Sequence, residues 1–241
     1  MKHLLFVLTL IPCLSTVAGA QSLCASDGQA TPVALVERFI SADCEACWNA
    51  PQTFEPSARA LTLDWIVPGE RGDDAPLSAA ASLDARMRLE VLGLPMPATS
   101  SVTTTPVVGS RAQRLRVAHG VPLRGYIGAS IELKTTRMPR PQENWSAWLV
   151  LVETIPAGAD GTPLERNLVR NVLLSTWNKP EQLSKSERHI FREMRPLSIP
   201  QGAAPQRLRV VGWVQDAQGR VLSAAQSVCP RLTAGLAAQT L

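Results

Sequence analysis

The sequence lacks several features that mark common enzyme classes. It has no Gly-rich phosphate loop and no dinucleotide-binding fingerprint, so it gives no support for a nucleotide-dependent activity. Ser41, Ser130 and Ser175 stand outside any G-x-S-x-G context, which argues against a hydrolase. His119 and His189 are far apart in the chain, each beside a turn or a charged residue. They are predicted to be surface residues without a metal or catalytic role.

Charge and composition argue against two further classes, nucleic-acid-binding proteins and disordered chains. The chain carries 24 Lys and Arg against 20 Asp and Glu, a formal net charge of +4, and its basic residues are scattered. A scattered distribution is typical of a solvated surface, so no nucleic acid partner is predicted. Hydrophobic residues make up 45% of the 241 positions, enough for a packed core in one large domain or two small ones.

The first twenty residues resemble an export signal. Lys2 gives a positive start, residues 4–14 are apolar, and small residues at 17–20 suit signal peptidase. We therefore predict a signal peptide over residues 1–20, cleaved before Gln21. The mature protein is predicted to be periplasmic or secreted. No later apolar run is long enough to span a bilayer, so no transmembrane segment is predicted after signal removal.

Removal of the signal leaves four cysteines, Cys24, Cys44, Cys47 and Cys229. An even number in an exported chain favours disulfides, and four cysteines allow three pairings. If the local pair Cys44–Cys47 forms, Cys24 is left with Cys229 in a structural bridge. In the loop-entropy picture that long closure stabilises by roughly 5 kcal/mol. A zinc site built from all four cysteines is the rival, although a single C-x-x-C favours it less. Neither a metal nor a cofactor is predicted.

The C-x-x-C pair organises the N-terminal part of the chain. It follows the strand-like run 33–40 and opens a short helix, the usual setting of a thioredoxin-like redox motif. A strand over 61–67, a helix over 75–92 with Ala80, Leu83, Met87 and Val91 on one face, and a strand around Thr105-Pro106 follow. We therefore predict an α/β thioredoxin-like domain over residues 21–110.

After Gly109 the pattern becomes a series of strands separated by turn residues. This arrangement is typical of an antiparallel sandwich or barrel, so residues 111–241 are predicted to form an all-β, sandwich-like domain. The predicted strands cover residues 115–118, 126–134, 145–154, 164–176, 189–194, 208–215 and 220–228.

Three islands of sequence resemble a known family. They are residues 36–47, which end in Cys44-Glu45-Ala46-Cys47; Thr105-Pro106-Val107-Val108; and, near the C-terminus, residues 167–172 with residues 211–216 and 221–225. Together they resemble a bacterial exported thioredoxin-like family, catalogued as family 1223 of the domains of unknown function. The resemblance implies a thioredoxin-like fold followed by a β-rich domain. It also implies that Pro106 is the cis-proline set against the cysteine pair, presenting the backbone of Thr105 to a bound peptide.

Two positions depart from thioredoxin itself. Asp43 stands where thioredoxin carries a Trp immediately before the first cysteine. Arg38 stands where thioredoxin carries a buried acid, and the neighbouring Glu37 falls on the opposite strand face by parity.

The predicted function is thiol–disulfide exchange with periplasmic protein thiols or disulfides. Cys44, at the helix start, is the candidate nucleophile, because helix N–H groups stabilise a thiolate there. Cys47, one turn further on, is the candidate resolving thiol. The alternative is a non-enzymatic exported binding or envelope-structural module, in which Cys44–Cys47 is an inert clip and the β-rich part carries the partner surface.

Overall fold

The computed structural model describes residues 24–50, 57–109, 113–140, 143–180, 182–183 and 189–230. The predicted signal peptide lies outside these ranges. The two α-helices among the described residues are α1 (Glu45–Asn49) and α2 (Leu83–Leu92). The strands are β1 (Cys24–Ala25), β2 (Ala34–Ser41), β3 (Ala60–Val67), β4 (Ser100–Pro106), β5 (Arg114–Leu123), β6 (Tyr126–Thr135), β7 (Trp145–Ile155), β8 (Arg166–Trp177), β9 (Gln182–Leu183), β10 (His189–Ser198), β11 (Leu208–Gln215) and β12 (Val221–Gln226).

These strands form two sheets in a sandwich-like arrangement. The five-stranded sheet has the order β1-β5-β6-β10-β9, and the seven-stranded sheet has the order β12-β11-β7-β8-β3-β2-β4. The fold is therefore nearly all β, and the predicted α/β thioredoxin-like N-terminal domain is wrong. The seven strands predicted after residue 109 are all present, as β5 to β8 and β10 to β12.

The prediction failed because the N-terminal strands do not form a sheet of their own. β2 and β3 are parallel neighbours, but β3 pairs with β8 on its other side. That contact is a single register pair, Asp64 with Leu168. The seven-stranded sheet therefore combines strands from both predicted domains. The predicted boundary at residue 110 lies outside the described residues.

The seven-stranded sheet curls until its two edges touch. Val107, immediately after β4, bridges to Val221 of β12, and the Val108 amide donates to the Val221 carbonyl at 2.9 Å. One apolar cluster, with Phe39, Trp65 and Trp213, lies on the face that α2 covers. Another cluster joins β7, β11 and β12 to the five-stranded sheet. The seven-stranded sheet therefore has an apolar cluster packed on each of its two faces.

Helix α2 begins later than the sequence pattern predicts and buries a different face. The preceding stretch forms two short 3-10 turns, Gly72–Asp74 and Ser78–Ala80, and the Ser82 hydroxyl caps α2 by accepting from the Ala85 amide at 3.1 Å. The buried residues are Ala85, Arg88 and Leu89. Leu83 and Val91, predicted on the apolar face, are 72% and 49% exposed. Across the described residues, no helix is both long and apolar enough to cross a membrane.

Candidate functional site

The predicted cysteine pair forms a disulfide at the carboxyl end of β2. The Cys44–Cys47 bond joins the residue that precedes α1 to its first turn, with Cα atoms 5.3 Å apart. The Cys44 amide donates to the Ser41 carbonyl at 3.0 Å, which turns the chain out of β2. Both cysteines are half-buried, and Cys47 packs on the apolar cluster beneath α1.

Asp43 serves the neighbouring loop rather than the cysteines. Its carboxylate accepts from the backbone amides of Glu70 at 2.7 Å and Arg71 at 3.3 Å. The same carboxylate fills the space that a side chain at position 69 would need, so the loop requires Gly69. Asp43, which precedes Cys44 in the sequence, is therefore held by hydrogen bonds to the loop at residues 70–71.

Trp48 and Arg166 fix the far end of α1. The Trp48 indole donates to the Asp160 carbonyl at 2.9 Å, and Arg166 Nη2 donates to the carbonyls of Trp48 and Ala50 at 2.8 and 2.7 Å. These carbonyls at the helix end have no partner within so short a helix, so the arginine acts as its C-terminal cap. The Arg166 guanidinium also lies 5.7 Å from the Trp48 ring centre.

Arg166 was not a candidate from the sequence, because an arginine at a strand start is ordinarily a surface residue. In the structure it is fully buried. Burial, and to a smaller extent the nearby positive charge of Arg38, lowers its pKa to about 10, although the negative charge of Asp64 acts in the opposite direction. It remains a cation at neutral pH.

The charged residues of β2 point to opposite faces, as the parity argument predicts. Arg38 pairs with Asp64 on β3 at 2.8 Å, on the face that carries Trp48. Glu37 points to the other face and pairs with Arg88 of α2 at 2.7 Å, both side chains being fully buried. Each of these charges near the cysteines thus has an opposite charge as its partner. Neither Glu37 nor Arg38 contacts a cysteine through these bonds.

Pro106 does not meet the expectations for a cis-proline. No peptide bond among the described residues is cis, so the predicted cis-proline is wrong. The position also differs, because Pro106 pairs with Ala34 at the start of β2. The cysteines follow the other end of that strand, roughly 20 Å away at about 3.3 Å per residue. The β4 residue opposite Ile40 is Ser100.

Cys24 and Cys229 form the predicted structural disulfide, which closes a separation of 205 residues. Cys24 is buried, whereas Cys229 is exposed. His119 lies opposite Cys24 in the β1–β5 ladder and is only 4% exposed. The prediction of a surface histidine is therefore wrong at this position, because residues 24–25 add a strand over the end of β5.

The described part of the chain has several cavities away from the cysteine pair. One of about 230 Å³ is lined by Trp48, Leu77 and Asp160, among others, but by neither Cys44 nor Cys47. A larger cleft of about 830 Å³ runs between the segment after β1 and strands β5, β6 and β12. Gln113 in its lining is 7% exposed, and within the described ranges neither its amide nitrogen nor its amide oxygen has a hydrogen-bond partner.

Comparisons with known proteins add a single structure. No family model matches the chain, and no curated protein matches it. Among solved structures, the chain is similar to HBP35 of Porphyromonas gingivalis, with 11% sequence identity and a TM-score of 0.46. The similarity covers 83% of this chain and 76% of that one.

Proposed function

We propose that this is an exported protein whose Cys44–Cys47 pair exchanges disulfides with protein thiols. The observation that carries the proposal is the position of the pair. A disulfide of two half-buried cysteines follows a buried strand and opens a helix. A thiol at such a position is accessible and faces backbone N–H groups that favour its thiolate form. The export signal in the sequence and the Cys24–Cys229 bridge both suit an oxidising compartment.

In the proposed reaction, a substrate thiolate attacks one sulfur of the oxidised pair. The S–S bond breaks, a mixed disulfide forms at Cys44, and Cys47 leaves as a thiolate. A second substrate thiolate then attacks the mixed disulfide, which gives an oxidised substrate and leaves the pair reduced. Reoxidation reverses these steps with a disulfide of higher reduction potential. Cys47, packed on apolar residues beneath α1, is the sulfur positioned to stay within the protein.

The test is to trap the mixed disulfide and to measure the reduction potential. A Cys47→Ala variant leaves Cys44 without its resolving partner, so its thiolate should attack a disulfide-containing peptide, release one half as a thiol and accumulate the mixed disulfide with the other half. The matched Cys44→Ala variant should trap far less, because its remaining thiol packs on the apolar cluster. Equal trapping by the two variants, or a potential too low for exchange with glutathione, would reject the proposal.

A second candidate is a non-enzymatic binding module with static disulfides. The observation that favours it is the 830 Å³ cleft, where the buried amide of Gln113 has no partner among the described residues. The lining carries four basic side chains against two acidic ones, Arg59, Arg114, Arg116 and Lys134 against Asp27 and Glu132, and this positive balance suits a polar ligand with negative charge. Thermal-shift measurements with small dicarboxylates and sugar phosphates, on the wild type and on Gln113→Leu, would test it. Ligand-induced stabilisation that the variant loses would support this function. Equal shifts in both proteins, or none in either, would reject it.

A further inference from the structure

A histidine lies directly against the Cys24–Cys229 disulfide. Cys24 on β1 is opposite His119 on β5, and the next residue, Ala25, bridges to Val228 on its other side. One ring nitrogen of His119 and the two sulfur atoms all lie within 4.8 Å of one another. Among the described residues, this is the one group of three side chains whose potential metal-ligand atoms lie this close together.

The histidine is held in the tautomer that a metal ligand requires. His119 Nδ1 lies 2.9 Å from the Gly120 carbonyl, and since a carbonyl can only accept, Nδ1 carries the proton. The lone pair is then on Nε2, which is buried and has no hydrogen-bond partner among the residues that the structure describes. A buried polar atom without a partner requires an explanation. A backbone carbonyl on the remote nitrogen is the usual way in which proteins orient a metal-binding histidine.

We propose that reduction of the Cys24–Cys229 disulfide creates a zinc site formed by the two cysteine sulfurs and His119 Nε2, with water in the fourth position. A dithiol reductant transfers two electrons and two protons to the disulfide and becomes a disulfide itself. Zinc then replaces the two thiol protons, which pass to solvent. Tetrahedral zinc sets the two sulfurs about 3.8 Å apart and each sulfur about 3.5 Å from the nitrogen. The histidine nitrogen and both sulfurs already lie within 4.8 Å of one another, so small side-chain rotations after the S–S bond is broken suffice to reach these separations.

Hydrogen bonds hold the backbone around the site in addition to the disulfide. Ala25 and Val228 exchange two hydrogen bonds, of 3.2 and 3.0 Å, and the Ser26 amide donates to the Val117 carbonyl at 2.9 Å. These bonds hold the strands that carry the three ligands after the sulfurs separate. Cys229 is exposed, so both the reductant and zinc can approach from solvent.

The experiment uses the full mature chain with Cys44→Ser and Cys47→Ser, so that Cys24 and Cys229 are the thiols present. After reduction with a phosphine and its removal, Co²⁺ is added as a spectroscopic substitute for zinc. The expected result is a thiolate-to-cobalt charge-transfer band with the d–d bands of a four-coordinate site, both abolished by Zn²⁺. The oxidised protein should show neither. Because the proposed exchange pair is absent from this variant, the outcome is independent of the proposed function.

A His119→Gln substitution in the same background separates a three-ligand site from a bare dithiol. Loss of the imidazole should weaken Zn²⁺ affinity at least tenfold, as judged by competition with a chromophoric chelator. Thermal unfolding of the reduced chain with and without Zn²⁺ gives a second readout if reduction alone loosens the fold, since zinc should then raise the Tm. Absence of cobalt bands together with an unchanged Tm, or equal zinc affinity with and without His119, would overturn the proposal.

Discussion

Arg88 binds both carboxylate oxygens of Glu37, its Nε at 2.8 Å and its Nη2 at 2.7 Å, in a fully buried pair. The guanidinium also donates to Gln215 at 3.0 Å and lies 4.7 Å from the ring centre of Trp148. Because Glu37 is on β2 and Gln215 on β11, one side chain of α2 links distant strands of the seven-stranded sheet. The arginine thus fixes α2 on the curled sheet.

Removal of this arginine should destabilise the protein strongly. Arg88→Met leaves the Glu37 carboxylate buried without its counter-charge, and breaking a buried pair in this way costs about 3–5 kcal/mol. Urea unfolding at neutral pH measures the loss. The double variant Arg88→Met with Glu37→Gln should recover part of it, because no buried charge is then left unpaired. If the double variant were as unstable as the sum of the single variants, the pairing would not be the cause.

Loss of the cap on α1 should expose the Cys44–Cys47 disulfide to reductant. Arg166→Gln removes the donor to the carbonyls of Trp48 and Ala50, at a cost of about 1–3 kcal/mol for the unpaired buried groups. The rate at which a phosphine reduces Cys44–Cys47 should rise relative to the rate for Cys24–Cys229. Arg207→Gln, which removes only the partly exposed pair with Asp160, is the matched control and should change neither quantity appreciably.

Gly212 on β11 lies closely against the five-stranded sheet. A methyl group there would meet Val117 Cγ1 at 2.6 Å and Ile131 Cδ1 at 3.0 Å on the five-stranded sheet. Gly212→Ala should therefore lower the free energy of unfolding by about 1–3 kcal/mol through overpacking. Gly128→Ala on β6, where an added methyl group meets nothing within 4 Å, is the control and should be nearly neutral. Similar losses in both variants would show that the effect comes from the strand backbone.

Asp84 in the first turn of α2 should make stability depend on pH in the acid range. Burial raises the pKa of its carboxyl above the ordinary value of 3.8. The folded state therefore favours the protonated form, and this contribution is present below pH 3.8 and is lost as pH rises through the folded pKa. Asp84→Asn should unfold at a higher urea concentration than the wild type at pH 7, with a difference that shrinks toward pH 3. Glu90→Gln, at an exposed site on the same helix, is the control for the loss of a carboxylate from α2.

The ten longer β-strands and both disulfides could be predicted from the sequence because each depends on local or enumerable features, whereas the two-residue strands β1 and β9 were not predicted. Alternating residues and turn signals mark β7 and β11, and four cysteines leave a single further pairing once Cys44 and Cys47 are paired. The sheet partners could not be predicted in this way. A run of apolar residues such as β3 fits a buried strand in any sheet, so nothing local indicates its contact with β8.

The buried arginines also could not be predicted from the local sequence pattern. Arg88 and Arg166 are buried because residues far away in sequence supply their acceptors, Glu37 and Gln215 for one, Trp48 and Ala50 for the other. The apolar face predicted for α2 failed for the same reason, since the helix packs through an arginine. Pro106 was assigned by its order in the chain, whereas strand register places it at the far end of β2.

The bridge between Cys24 and Cys229 makes one covalent ring of nearly all the residues that the structure describes. A single proteolytic cut in any surface loop, such as the turn at Gly202, therefore cannot release a fragment of that ring. The cut adds one water, but the two pieces stay joined as one covalent species until the bridge is reduced. Limited proteolysis resolved with and without reductant would show this ring directly, as a cut that is visible only after reduction.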